Sequence, residues 1–254
     1  MIRRLASAIL CAAIISAFAV SAPGARADDA ASLSDAQKSE IEKLIHDYIV
    51  KNPQVILDAV RAHQEAQAAA EEQAQQQRLV DMREQIENGK LSPVGGNAAG
   101  NVTVVEFFDY RCGYCKRVHD IVVDTVADDG NVRFVYKEFP ILGPESVIAA
   151  RAALGVFYNQ KDKYIDFHNA LMTAKGAFSE ARVLDIAASV DLDKDAVKKH
   201  MDDPRIDTEL RHNMALAEAL GIRGTPAFIV NNTLVPGALD RETLENLIKE
   251  ARGS

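Results

Sequence analysis

Cys112 and Cys115, in the run Cys-Gly-Tyr-Cys, are the two side chains of this sequence whose type and spacing point most directly to chemistry. A thiolate is the nucleophile of disulfide exchange, and two thiols one helical turn apart can close on each other. The pair follows an apolar run, Val102 to Phe108, that reads as a strand, and it opens a helix-spaced segment reaching to about Val126. The first cysteine of such a turn meets unpaired amide N–H groups and the positive end of the helix dipole, which favour a thiolate. The dipole alone is worth roughly 0.3–1 kcal/mol, under about one pKa unit. A strongly activated Cys112 therefore also requires direct hydrogen bonds, with the Cys115 amide within reach. Cys115 lies one turn further in, toward the core, and should react less.

Glu106 stands mid-strand in Val-Val-Glu-Phe-Phe, where a charge is costly to bury. Strand alternation puts it on one face with Val104 and Phe108. It is either an edge carboxylate or a buried acid poised to take the Cys115 proton. Lys137, in the next strand, is its candidate partner. In Gly224-Thr225-Pro226-Ala227, proline at the mouth of a strand can occupy only a start or an edge. A cis bond there would leave the Thr225 backbone open to an extended substrate. His119 sits one turn beyond Cys115. Cys112, Cys115 and His119 make three possible metal ligands, but zinc as a rule needs four and no second pair follows. A purely structural bridge across four residues would close almost no loop and add little stability. No metal and no cofactor is expected.

These side chains need a scaffold. Val102–Phe108 and Val132–Phe139 read as strands with a helix between them. Four or five helices follow from about Glu145 to Leu220, then a hairpin around Asn231-Asn232 and a closing amphipathic helix, Arg241 to Ala251. The predicted class is α/β, with a catalytic domain over 101–254 that carries a helical insertion at about 142–203. Residues 91–100, with Pro93, Gly95, Gly96 and Gly100, read as a linker. Residues 28–90 read as polar helices. Ser34 is placed to cap the first, with Ile41, Leu44, Ile45, Tyr48 and Ile49 on one face. Asn52-Pro53 ends it. The second has heptad spacing from Ile56 and Val60 that decays to Ala and Gln. No small domain can bury such faces alone, so an oligomerisation stalk is expected, against a helical pair folded back on the catalytic domain.

Residues 1–27 read as a cleaved signal peptide. Arg3 and Arg4 precede an apolar run from Leu5 to Ala22, and Ala25-Arg26-Ala27 suits the peptidase. Export would leave Cys112 and Cys115 as the only cysteines, since Cys11 lies in the leader, and one close pair is no stapled framework. It would also take the net charge from −8 to −11 by removing Arg3, Arg4 and Arg26. That balance argues against nucleic acid as a partner.

The run Glu-Phe-Phe-Asp-Tyr-Arg-Cys-Gly-Tyr-Cys at 106–115, together with Gly-Thr-Pro-Ala-Phe at 224–228, resembles the DsbA family of periplasmic thioredoxin-fold proteins. The resemblance covers about residues 101–252. It implies a thioredoxin fold, with Cys112 as nucleophile, Cys115 as resolving cysteine, Glu106 as buried acid and Pro226 as the cis-proline behind Thr225. Gly113 and Tyr114 replace the Pro-His dipeptide of the prototype oxidase, and Thr225 stands where DsbC-type isomerases also carry threonine. Residues 34–88, including Tyr48-Ile49-Val50-Lys51-Asn52-Pro53, are similar to the N-terminal regions of suppressor-of-copper-sensitivity C proteins, which can be trimeric. The resemblance therefore implies a periplasmic homo-oligomer, dimer or trimer, that reduces or isomerises protein disulfides. A membrane thiol reductase would be its electron donor. A dithiol oxidase and a copper-binding or chaperone module using the same two thiols are the alternatives.

Overall fold

The computed structural model describes residues 33–253, so the expected signal peptide at 1–27, with Cys11, lies outside the described residues. The chain divides into two compact units after His63. In the first, Ser34 closes a capping box with Gln37 and starts α1 (Asp35–Lys51). Helix α2 (Gln54–Asp81) begins just past Pro53, at the break expected there. Leu44 and Tyr48 are 69% and 56% exposed, and Ile41, Ile45, Ile56 and Val60 are exposed as well. No apolar residue of α1 is buried.

The second unit begins within α2, at Gln64. Its sheet runs in the order β1-β3-β2-β4-β5. Helix α3 (Arg83–Glu87) leads into β1 (Val94–Gly96), which pairs antiparallel with β3. Strands β2 (Val102–Phe108) and β3 (Val132–Glu138) are parallel, joined by α4 (Gly113–Asp129), which ends where Gly130 takes φ 67°. Helices α5 (Pro144–Asn159), α6 (Tyr164–Thr173), α7 (Glu180–Ala188) and α8 (Lys194–His200) form the inserted block. Helix α9 (Pro204–Leu220) returns the chain to β4 (Ala227–Val230), which pairs with β2 and makes a hairpin with β5 (Thr233–Pro236). Helix α10 (Arg241–Gly253) closes the domain.

Alternation divides the strands between two cores. Val104 and Phe108 of β2, and Phe134 and Tyr136 of β3, face α4, α10 and the inserted helices. Val105, Phe107 and Val135 face α9 through Leu216, Ala217 and Leu220. Leu79 of α2 and Ile86 of α3 complete this second core, exposed by 2% and 1%.

The linker expected at 91–100 is not one. Residues 94–96 are a sheet strand, and their glycines serve close approach rather than flexibility. Gly96 takes φ +61°, and a Cβ there would stand 2.5 Å from the Val132 carbonyl oxygen. A Cβ at Gly100 would meet the Arg133 nitrogen at 2.5 Å. The segment before β1 is also bound by polar contacts. Arg133 donates to the Glu87 carbonyl at 2.8 Å, Tyr158 to the Leu91 carbonyl at 2.9 Å, and Lys137 to Gln85 and Ser92. The second unit thus takes in the distal end of α2, part of the stretch expected to be stalk down to residue 90.

Candidate active site

The turn into α4 is shaped by Asp109. Its carboxylate accepts from the amides of Arg111 (2.7 Å) and Leu142 (3.0 Å), and its carbonyl accepts from the Cys112 amide (2.9 Å). Cys112 is then the N-cap of α4. Its Sγ accepts from the Cys115 amide at 3.2 Å, the bond a serine or aspartate oxygen usually takes. As a thiol it donates to the Thr225 carbonyl, also at 3.2 Å. The Thr225-Pro226 bond is cis. Residues 113 positions apart in the chain are therefore in contact.

The electrostatics separate the two thiols. The Cys112 pKa is lowered to about 6. A hydrogen bond from the Cys115 side chain is the main cause, partial burial opposes it, and the Thr225 side chain and the Cys115 and Tyr114 amides assist. Cys115 is pushed far above the ordinary thiol range, by burial first and then by the hydrogen bond it gives Cys112. Cys112 is thus a thiolate at neutral pH, and Cys115 a thiol. Gly113 and Tyr114 lie exposed between them, with the Arg117 guanidinium 4.1 Å over the Tyr114 ring.

Glu106 is buried, and burial raises its pKa to about 8, with the nearby Cys112 charge a second cause. Its face is the one alternation gives it. It lines a cavity of about 190 Å³ with His119, Phe134, Tyr136 and His168. Lys137 is not its partner. Glu106 pairs in register with Tyr136, so Lys137, paired with Phe107, faces the opposite core. There it donates to Ser92 Oγ at 2.7 Å, and Ser92 donates to Glu209 at 2.5 Å. His119 is buried, its ring centroid 5.4 Å from that of His168. Among the described residues no group of three or more His, Cys, Asp or Glu could hold a metal.

Two residues of the site escape sequence reading. Lys116 donates to the carbonyls of Leu171, Met172 and Ala174 at 2.8–2.9 Å, tying α4 to the end of α6, and burial lowers its pKa to about 8. Its acceptors lie more than fifty residues away, so no local signal marks it. Asp109 could have been found, since an aspartate side chain commonly accepts from the backbone amide two residues on and so forms a turn.

Thr225→Val keeps the volume nearly constant and removes the hydroxyl that helps hold the Cys112 thiolate. A lost hydrogen bond of about 0.5–1.5 kcal/mol should raise the Cys112 pKa by roughly 0.4–1. Titration of thiolate absorbance at 240 nm reads this, and an unchanged midpoint would show that the Thr225 hydroxyl does not hold the thiolate.

Comparison with known proteins agrees with this geometry. Residues 103–249 match the DSBA-like thioredoxin domain, and residues 37–70 match the N-terminal domain of the copper resistance protein ScsC. A thioredoxin-like oxidoreductase from Silicibacter pomeroyi is 45% identical with a TM-score of 0.65, over 68% of this chain and 98% of that one. A linker-deletion mutant of Proteus mirabilis ScsC is 28% identical with a TM-score of 0.66, over 88% of this chain and 99% of that one. The Na(+)/H(+) antiporter NhaA 1 of Salinispora arenicola is 29% identical over 160 residues, 62% of this chain but 24% of the antiporter. The chain thus spans about a quarter of the length of that curated relative. The Cys-Gly-Tyr-Cys turn at 112–115 and the Thr225-Pro226 loop of the present chain both fall within the match over residues 103–249, and the chain belongs to the DSBA-like thioredoxin domain family.

Proposed function

We propose that the protein is a thiol:disulfide oxidoreductase acting on protein disulfides, most effectively as an isomerase or reductase. The observation that carries this reading is the division between Cys112, lowered to about 6, and its buried neighbour Cys115. The Cys112 thiolate attacks one sulfur of a substrate disulfide, and the other leaves as a thiolate. Cys112 is then uncharged, which removes one of the two causes that keep Glu106 protonated. Glu106 then releases its proton, which ends on the first departing substrate thiolate, and as a carboxylate it takes the Cys115 proton, so that the Cys115 thiolate attacks Cys112 Sγ. A Cys112–Cys115 disulfide forms, the second substrate thiolate leaves and is protonated, and two electrons have passed to the substrate. When a second substrate thiolate attacks the mixed disulfide first, the bond is reshuffled and Cys112 returns as a thiolate. Tyr114 and Gly113 on one side, and Thr225 and Pro226 on the other, supply the surface for the extended substrate. Repeated reduction implies a membrane thiol reductase as donor, and the setting is the periplasm.

The exposed row Ile41, Leu44, Ile45, Tyr48, Ile56 and Val60 supports a homo-oligomer. Each of these side chains would contribute about 1.5–3 kcal/mol if buried between copies. Tying several catalytic units together raises the effective concentration of a second site around one substrate, which suits isomerisation. A chain starting at Gln64 is expected to be a folded monomer that keeps thiol exchange and loses isomerase activity. Starting at residue 91 instead would strip out Leu79, Ile86 and the Gln85 carbonyl that holds buried Lys137. Light scattering and refolding of scrambled ribonuclease check the prediction. A monomeric full-length protein would sink the stalk. A pair found oxidised in cells by thiol trapping would favour the oxidase direction, and tight copper binding without insulin reduction would favour a metal-handling role.

A further inference from the structure

Four segments make up or are tied to the Cys112 turn. Residues 109–117 contain it, and residues 221–227 touch it through the Thr225 carbonyl. Residues 140–147 are held by the Asp109–Leu142 bond, and residues 173–179 by Lys116, which donates to the Ala174 carbonyl and lies 5.0 Å over the Phe178 ring. These segments carry five cationic side chains and two carboxylates, in a chain of net charge −8. The carboxylates are already engaged. Asp109 is buried and accepts two amides, and Glu145 pairs with Arg111 at 3.0 Å. Lys116 has spent its three protons on carbonyls. Arg117, Lys175 and Arg223 remain, exposed and in no ion pair among the described residues.

Their placement is specific. Arg223 lines an open hollow of about 400 Å³ with Thr225, Pro226 and Gln75 of α2, whose amide side chain adds no charge. Glu71 and Glu72, one turn along α2, do not line it. Lys175 lines a second hollow, of about 450 Å³, with Arg111, Lys116 and Glu145, the last already paired with Arg111. Arg117 lies over exposed Tyr114 between the cysteines. Three cations in no ion pair among the described residues thus stand on the segments tied to the Cys112 turn, in a chain whose net charge is −8. Such a local field raises the encounter rate of an oppositely charged partner and is screened by salt.

We propose that this rim selects disulfides flanked by acidic residues, so that the preferred substrates present carboxylate-rich peptide segments to Cys112. The proposal rests on Cys112 being the attacking thiol. Its test uses the reduced full-length protein and two peptide–hydroxyethyl mixed disulfides, identical except for Asp or Lys on both sides of the cysteine. Each rate is divided by the rate of the same peptide with dithiothreitol, which removes its intrinsic reactivity. The acidic peptide is expected to react about tenfold faster than the basic one at ~20 mM ionic strength, the ratio falling toward one at ~0.5 M salt. The double change Arg223→Gln, Lys175→Gln should cut the low-salt ratio by about threefold. Equal normalised rates at low salt, or a preference that neither salt nor the double change reduces, would overturn the rim. Uncharged bis(2-hydroxyethyl) disulfide separates the two ideas. If it reacts normally while the peptides show no preference, only the rim fails. If it does not react, the assignment of Cys112 fails and takes the rim with it.

Discussion

Cys112→Ala is expected to abolish disulfide exchange, while Cys115→Ala should keep the first step and accumulate mixed disulfides. With a pKa of about 6, Cys112 is mostly ionised at pH 7. An ordinary thiol at the same pH is ionised by only a few per cent or less. Cys115, the thiol left in the first variant, is harder still to ionise and is 1% exposed. The loss should therefore exceed about a hundredfold from ionisation alone, with burial taking it further. In the second variant the attacking thiolate survives but nothing displaces the substrate from Cys112. Alkylation gives the same ordering. The rate for Cys112 should climb through about pH 6 and level off above pH 7, because the thiolate is the reacting form. Faster labelling of Cys115 than of Cys112 in the reduced protein would reverse the assignment.

Glu106→Gln should stabilise the protein in a pH-dependent way and slow its resolving step. The carboxyl has a pKa of about 8 when folded, against an ordinary value of 4.5. A group whose pKa is raised on folding contributes stability that is fully present below its unfolded value and lost as pH climbs through the folded one. Wild type should therefore lose about 1.4 kcal/mol per pH unit relative to the variant between pH 4.5 and 8. Above pH 8 the gap should level off at roughly 4–5 kcal/mol. Denaturant unfolding of the reduced proteins at pH 4, 6 and 8.5 measures this. The gap should be smaller for the oxidised pair, where the Cys112 charge that helps raise Glu106 is gone. Loss of the proton acceptor should slow attack by Cys115 by about a hundredfold or more, leaving formation of the mixed disulfide less affected. Parallel stability curves for wild type and variant across this range would show that Glu106 ionises freely, and would remove it from the mechanism.

How much of this was legible depended on how local each cause is. A cysteine that ends a strand and opens a helix must meet free amides, so the Cys112 environment could be read from ten residues. The face of Glu106 followed from the two-residue period of a strand. The Gly/Pro segment before Asn101 misled, because the same composition serves a mobile linker and a tightly approached edge strand. Only the neighbours separate the two, and here the Val132 carbonyl and the Arg133 amide leave no room for a side chain at Gly96 or Gly100.

The sequence by itself determined the Cys-Gly-Tyr-Cys turn, the acid on the inner face of β2, the threonine–proline loop and the apolar rows of α1 and α2. Each is a property of residue type and short spacing. Tertiary structure alone decided which partners these residues meet. It set Thr225 against Cys112, sent Lys137 to the far core and attached the end of α2 to the sheet. It also brought Lys175 into one hollow with Lys116, and Arg223 into another with Thr225. The parallel register that pairs Glu106 with Tyr136 is fixed by both strands and the helices packed on them, and a shift of one residue would turn Lys137 toward the acid. Such choices depend on the packing of segments far apart in the chain, and no short stretch of sequence contains both sides of that contact.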